Sequence, residues 1–250
     1  MIKPRQNDNS VRVVSWNIHK GVSGIWPKRS LQIHNIAYAL RTMDADLICL
    51  QEVRDSNRRE AQRYAHWPEQ SQANYLAPAG YHAIYHSNAV TKHGEHGNAL
   101  LSRWPVLDMA HQDMSDHRFE QRGLLHARVD APNGLLNVLV MHLGLIGASR
   151  VRQLEQTKRY IEAKVPENEA LVIAGDFNCV QLARMWAVQG MRCATLTSTV
   201  PTFPSRLPLN QLDHIFTRGL GHLDLQSPRG QIWREMSDHL PLIAELEWQR

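Results

Sequence analysis

The chain has 250 residues, of which 43% are hydrophobic and 21% are charged, and its formal net charge is +4. These values are those of an ordinary soluble globular protein, and a chain of this length can bury a large core without disulfide or metal staples. No apolar run approaches the length of a membrane span, and the first ten residues are too polar for a secretory signal, so we expect a cytoplasmic protein. There is no long block of lysine and arginine, so charge alone neither requires nor excludes a nucleic-acid partner.

No internal repeat, linker or low-complexity tract divides the sequence. We therefore expect one domain over residues 11–250, preceded by a disordered or irregular segment over residues 1–10, and a monomer. The three cysteines cannot all pair internally, and none lies in a C-x-x-C motif. Cys49 lies in an apolar run, which favours a buried small hydrophobic residue over a reactive thiol.

Apolar runs bounded by polar or turn residues predict strands along the whole chain. They cover residues 11–15, 46–51, 81–86, 98–102, 122–130, 135–142, 171–174, 211–216 and 237–246. Between two of them, Asn133-Gly134 is a strong hairpin signal. Helical spacing predicts a helix capped by Ser30 that runs through Leu40, and others over 56–67, 149–164 and 180–188. We expect residues 87–97, which contain glycine and histidine, to form a surface loop rather than a metal site.

Helices and strands alternate loosely while the hairpin interrupts the pattern, which indicates mixed sheets covered by helices rather than a purely parallel sheet. Polar side chains gather at the ends of the predicted strands. They are Asn17, Glu52, Asn98, His142, Asp176, Asn178, Asp213, Asp238 and His239. A single cleft at a common sheet edge would explain all of them.

The central stretch is Leu171 to Cys179, in which a short apolar strand is followed at once by Asp176 and Asn178. Side chains two residues apart point the same way in an extended chain, so these two can face one cavity. The alternative is an Asx turn that caps a helix from Val180, which either residue could form alone.

Amide and carboxylate oxygens are hard ligands that suit Mg²⁺ or Mn²⁺. Asn17 and Glu52 fit the sparse protein shell of Mg²⁺, which substrate phosphate often completes. Hydrolysis of a phosphoester also needs a base for water and donors to the phosphoryl oxygens, roles open to Asp176 and Asn178. Because adjacent strand residues point in opposite directions, Asp213 is a better partner for the His239 ring than its neighbour Asp238.

Six short motifs then occur in one order. They are SWN at residues 15–17, LQE at 50–52, HGNALLS at 96–102, GDFN at 175–178, LDH at 212–214 and SDH at 237–239. In that order, from about residue 11 to residue 246, the chain resembles the endonuclease/exonuclease/phosphatase superfamily. The resemblance implies an α/β fold, a four-layer α/β/β/α sandwich in which two mixed β-sheets pack face to face beneath outer helices.

The resemblance also implies roles for named residues. Glu52 binds a single divalent metal, Mg²⁺ or in its place Mn²⁺, with Asn17 beside it and Asp238 as a second acid near the metal. Asp176 activates the attacking water, Asn178 and His142 contact the phosphoryl group, and Asp213 supports His239, which binds or protonates at the phosphate. Asn98 orders the site. Position 19 carries histidine where some nuclease members have an acid, so the resemblance does not supply a second direct metal ligand there.

The implied activity is metal-dependent hydrolysis of phosphodiester bonds by in-line attack of water, as in a nuclease. The partner is then a phosphate-ester substrate, either nucleic acid or, as the alternative, a phospholipid head group or inositol phosphate. A non-catalytic phosphate-binding module is a third hypothesis, against which the presence of Glu52, Asp176 and His239 argues. Candidate substrate loops are residues 23–29, with Trp26, Lys28 and Arg29, and residues 202–208, with Arg206.

Overall fold

The computed structural model describes residues 2–5, 10–24, 29–180 and 199–249, together with the backbone of residues 192–193. The helix predicted over residues 180–188 and the side chains of Trp26 and Lys28 lie outside this part of the chain.

Two six-stranded sheets form the centre of the fold. The first has the spatial order β13 (Leu220–Gln226), β14 (Leu242–Trp248), β1 (Ser10–Asn17), β4 (Leu47–Val53), β6 (Gly94–Ser102), β5 (His82–Thr91). The second has the order β11 (Arg192–Cys193), β12 (Asp213–Arg218), β10 (Ala170–Asp176), β9 (Gly134–His142), β8 (Gly123–Ala131), β7 (Val106–Asp113). Each sheet is mixed, because β1 pairs with β4 and β9 with β10 in parallel, whereas the other pairs are antiparallel.

Helices and short connecting elements complete the described fold. The helices are α1 (Ile33–Thr42), α2 (Arg58–Arg63), α3 (Gln72–Leu76), α4 (Gly147–Lys164), α5 (Gln231–Met236) and a 3₁₀ turn at His19–Gly21. A small two-stranded ribbon pairs β2 (Val22–Ser23) with β3 (Ser30–Leu31).

The alternation of side chains along the central strands divides the core into layers. In β10, Val172 packs between the two sheets, whereas its neighbour Ile173 packs on the opposite face against the layer of α4. In β1, Val13 likewise points between the sheets, whereas Val14 faces the layer of α1 and α5. The predicted four-layer α/β/β/α sandwich is therefore confirmed, and Cys49 is buried in its middle as expected.

Two local predictions were wrong. Ser30 lies in β3, and α1 begins after Gln32 with no side-chain cap. Residues 87–97 are mostly not a loop, because β5 and β6 continue through them and pair up to Thr91 and Gly94 around a two-residue turn. Many side chains of this hairpin are only half-buried, so the alternation that marks a strand is weak in its sequence.

The parallel pairs bring the carboxyl ends of β1 and β4, and of β9 and β10, to the same edge of the sandwich. Asn17, His142 and Asp176 each end a strand there. β12 runs antiparallel to β10, so Asp213 begins its strand directly opposite Asp176. Among the residues described, no helix is both long and apolar enough to cross a bilayer.

Candidate active site

Asp176 lies at the centre of the polar cluster at this edge and is 1% exposed. Its neighbours follow from strand register, which places His142 on one side of it and Asp213 on the other. Asn17 Nδ2 donates to Asp176 Oδ2 at 3.1 Å, and His239 Nε2 and His142 Nε2 lie 3.5 and 3.6 Å from the same oxygen. Side chains from three distant segments therefore converge on one carboxylate oxygen of Asp176.

The His239 ring is hydrogen-bonded to Asp213, which is fully buried. The ring Nδ1 lies 2.9 Å from Asp213 Oδ2, and the Thr202 hydroxyl donates to the same oxygen at 2.5 Å. Burial opposes charge on the ring, but the carboxylates of Asp213 and Asp176 outweigh it and raise the pKa of His239 to about 10. Trp16 Nε1 also donates to the His239 backbone carbonyl at 3.0 Å. A fixed imidazolium therefore faces Asp176 at neutral pH.

His142 has the opposite charge state. Burial, together with the nearby charge of Arg122, lowers the pKa of His142 to about 4, so its ring is neutral at pH 7. One oxygen of Asp176 is thus flanked by a cationic ring and by a neutral one.

Asn178 follows Asp176 with a left-handed backbone, φ 51°. Its backbone N–H donates to Asp176 Oδ1 at 2.9 Å, which forms an Asx turn; the helix that this turn was expected to cap lies outside the described residues. Its side-chain amide donates to the Leu143 carbonyl at 2.8 Å, and an amide group has one further N–H to offer. The turn and a role at the site are therefore compatible.

The second acidic group of the site contains Glu52 and Asp238. Lys20 Nζ lies 2.5 Å from Glu52 Oε2, and although burial opposes ionisation, the charges of Lys20 and its neighbours hold the pKa of Glu52 well below its usual range. His19 Nδ1 lies 2.8 Å from Asp238 Oδ2, and Arg29 Nη2 lies 3.2 Å from the other ring nitrogen of His19. Both carboxylates are thus balanced by cationic or donor groups beside the 3₁₀ turn.

Two groups of side chains in the site offer ligand atoms for a divalent cation. Asp176, Asp213 and His239 place ligand atoms within 4.8 Å of one another, but the protonated His239 ring has no nitrogen lone pair to offer a metal ion. At Glu52 the only neighbouring charge described on Oε2 is the Lys20 ammonium, a side chain that a metal ion can replace. The hard oxygens of Glu52, Asp238 and Asn17 therefore fit a hard divalent cation.

Asn98 joins the two sheets beneath the site. Its side-chain amide donates to the carbonyls of Gly123 and Val140, at 2.9 and 3.1 Å, across the sandwich. The ordering role that the resemblance implies for Asn98 stays a prediction.

Sequence reasoning missed several partners of the site. Lys20 lies three residues after Asn17 of the SWN motif, and its contact with Glu52 had no signal in the sequence. Thr202 lies in a loop that was singled out for substrate contact, whereas its hydroxyl is bonded to Asp213. Ser237 Oγ donates to the Asn17 carbonyl at 2.7 Å and so ties the last motif to the first.

Comparison with known proteins gives relatives that cover nearly all of the chain. The chain is 32% identical over 246 residues to the uncharacterized protein YbhP of Escherichia coli, covering 95% of this chain and 96% of YbhP. An endonuclease/exonuclease/phosphatase structure from Beutenbergia cavernae matches with a TM-score of 0.76 at 22% identity, over 96% of this chain and 72% of that one.

D. rerio TDP2, in complex with a single-strand DNA product, matches with a TM-score of 0.69 at 16% identity, over 96% of this chain and 100% of that one. These structural likenesses agree with the layered fold. The model of the Endonuclease/Exonuclease/phosphatase family matches residues 14–239. Because that match spans most of the sequence, the chain belongs to the endonuclease/exonuclease/phosphatase family, whose members are generally hydrolases of phosphoester bonds.

Proposed function

We propose that this protein hydrolyses phosphodiester bonds by attack of water at the cluster around Asp176. The observation that carries the proposal is the convergence of Asn17, His142 and His239 on Asp176 Oδ2, 3.1 to 3.6 Å away. A buried carboxylate with nitrogen groups around it provides both a proton acceptor and donors for a phosphoryl oxygen.

Asp176 is the proposed base. Its Oδ1 accepts the Asn178 N–H and its Oδ2 accepts the Asn17 amide, so the carboxylate is fixed in orientation. A positioned carboxylate can take a proton from a water molecule that attacks phosphorus, which typically contributes about 10²–10⁴-fold to rate.

His239 is the proposed donor to the phosphoryl oxygen that gains charge. Its ring stays protonated at neutral pH because Asp213 and Asp176 outweigh the effect of burial. Charge-assisted hydrogen bonds are roughly twice as strong as neutral ones, so this ring can stabilise negative charge without moving. The neutral ring of His142 and the remaining N–H of Asn178 can supply weaker contacts to the same group.

Glu52, Asn17 and Asp238 are the residues that would hold a divalent cation, for which we propose Mg²⁺, with Mn²⁺ as a substitute. The family depends on divalent metal ions. Such an ion, when bound, neutralises charge on the phosphoryl group. The remaining steps, orienting water and moving its proton, fall to the side chains described above.

For the substrate we propose a nucleic-acid strand. A cavity of about 610 Å³ opens beside Asp238, and its wall includes His19 together with the arginines Arg206 and Arg234. Guanidinium groups suit the phosphates that flank a cleaved diester. The complex of D. rerio TDP2 with single-strand DNA supports this choice by analogy of fold.

The test is turnover of single-stranded DNA, RNA, inositol phosphates and phospholipid vesicles by the full chain, with Mg²⁺, with Mn²⁺ and with EDTA. We expect cleavage of a nucleic acid that EDTA abolishes and that salt weakens steeply through counterion release. Cleavage of only lipid or inositol phosphate would refute the substrate, and the absence of any metal-dependent turnover would refute the activity. Asp176→Asn should lower kcat by about 10³-fold, whereas Asp130→Asn, at an exposed site, should leave it unchanged.

A further inference from the structure

The contact between Lys20 and Glu52 is a close ion pair at the proposed metal site. Nζ lies 2.5 Å from Oε2, and the two side chains are only 23% and 18% exposed. A charge pair this sheltered is screened less by water and salt than a surface pair. The ammonium therefore lies at one of the two oxygens that Glu52 can offer to a metal ion.

The backbone on both sides of this contact has an unusual conformation. His19, Lys20 and Glu52 all have left-handed φ values, 44°, 63° and 57°, and lysine and glutamate seldom adopt this conformation. The Gln72 side chain donates to the Lys20 carbonyl at 2.9 Å, and the His19 N–H donates to Asn17 Oδ1 at 3.0 Å. These bonds fix the turn from both sides.

Gly21 strengthens that restraint. A Cβ at this position would lie 2.8 Å from the Gln72 amide nitrogen and 2.9 Å from Ile33 Cδ1, so the chain passes tightly between them. The turn that carries Lys20 is therefore packed in place, and its direction toward Glu52 is a property of the fold.

We propose that Lys20 is an internal counter-ion that occupies the cation position on Glu52 in the metal-free protein and competes with the divalent ion for that carboxylate. This inference rests on the proposed role of Glu52 as a metal ligand. A divalent ion and an ammonium cannot both approach one carboxylate oxygen without strong repulsion, so metal binding must displace Lys20. The metal affinity of the site is then set in part by the strength of the ion pair that has to be broken.

The experiment is calorimetric titration of the full chain with Mn²⁺ alone, which requires no substrate and no turnover. Lys20→Met removes the charge and keeps an apolar side chain, whereas Lys20→Arg keeps the charge. Lys20→Asn is a second charge-removing variant that tolerates the left-handed backbone. Lys92→Met, on the exposed turn of the β5–β6 hairpin, controls for the loss of one positive charge from the protein.

Removing the competitor should tighten Mn²⁺ binding by about 10-fold in Lys20→Met and Lys20→Asn, equivalent to about 1.4 kcal/mol. Lys20→Arg and Lys92→Met should bind as the wild type does. Equal or weaker Mn²⁺ binding by both charge-removing variants would overturn the proposal. Glu52→Gln tests the metal site separately from the competition. If this variant binds Mn²⁺ as tightly as the wild type, Glu52 is not a metal ligand and the competition is refuted with it.

Discussion

The bond between Asp213 and His239 leads to a quantitative prediction for Asp213→Asn, which removes one charge and keeps the size of the side chain. The donor and acceptor are 2.9 Å apart, and Asp213 is fully buried, so water cannot replace it. A hydrogen bond between charged groups contributes about 1.5–3 kcal/mol, and one pKa unit corresponds to about 1.36 kcal/mol. The substitution should therefore lower the pKa of His239 by about 1–2 units.

Two measurements follow this shift. The ring signals of His239 in NMR spectra should titrate about 1–2 pH units lower in the variant. If the charged ring assists phosphodiester hydrolysis, the alkaline limb of kcat/KM should move down by the same amount. Asp130→Asn serves as the matched control, because Asp130 is exposed at the β8–β9 hairpin. A titration of His239 that is the same in both variants would refute the reasoning, since Asp213 would then not govern its charge.

Three further predictions concern stability in EDTA. His239 has a folded pKa of about 10 against 6.5, so its contribution to stability is complete below pH 6.5 and is lost as pH rises toward 10. His142 has a folded pKa of about 4, so the free energy of unfolding falls from pH 6.5 toward pH 4 as the unfolded chain takes up a proton at this residue. Together the two histidines predict a melting temperature that is highest near neutral pH. Trp16→Phe leaves a buried carbonyl without its donor and should cost about 1–3 kcal/mol in urea unfolding. Glu245→Gln breaks the buried ion pair with Arg12, 2.7 Å long, and should cost about 3–5 kcal/mol by the same method.

Each of these has an outcome that contradicts it. A melting temperature that keeps rising from neutral to strongly alkaline pH would show that His239 is not stabilised as a cation. Unchanged urea midpoints would show that the Trp16 bond, or the Arg12 pair, is compensated by water in solution. For the ion pair, Glu247→Gln on the same strand is the control, because Glu247 is exposed.

The local sequence was sufficient to predict the strands that position the site residues. The apolar run over residues 171–174, just before Asp176, predicts its strand, and the Asn133-Gly134 turn predicts the hairpin that ends at His142. The ordered motifs predict the family and the four layers as well. These features can be predicted from the sequence because each depends on residues close together in the chain, or on a pattern that the whole family shares.

Other features were decided only when distant strands came together. No local pattern indicates that Thr202 would bond Asp213, or that Lys20 would take the carboxylate of Glu52, because both contacts depend on side-chain directions across separate elements. The left-handed backbone at Lys20 and Glu52 is likewise imposed by tertiary packing rather than by residue preference.

The charge states were also set by tertiary structure. His142 ends strand β9 and His239 lies just before strand β14, so both histidines reach the same edge of the sandwich. Burial makes the His142 ring neutral, whereas two carboxylates keep the His239 ring cationic. The sequence thus determined which groups reach the edge of the sandwich, and the packing of the two sheets determined how those groups pair, because electrostatic energies depend on distance and burial in space and not on separation along the chain.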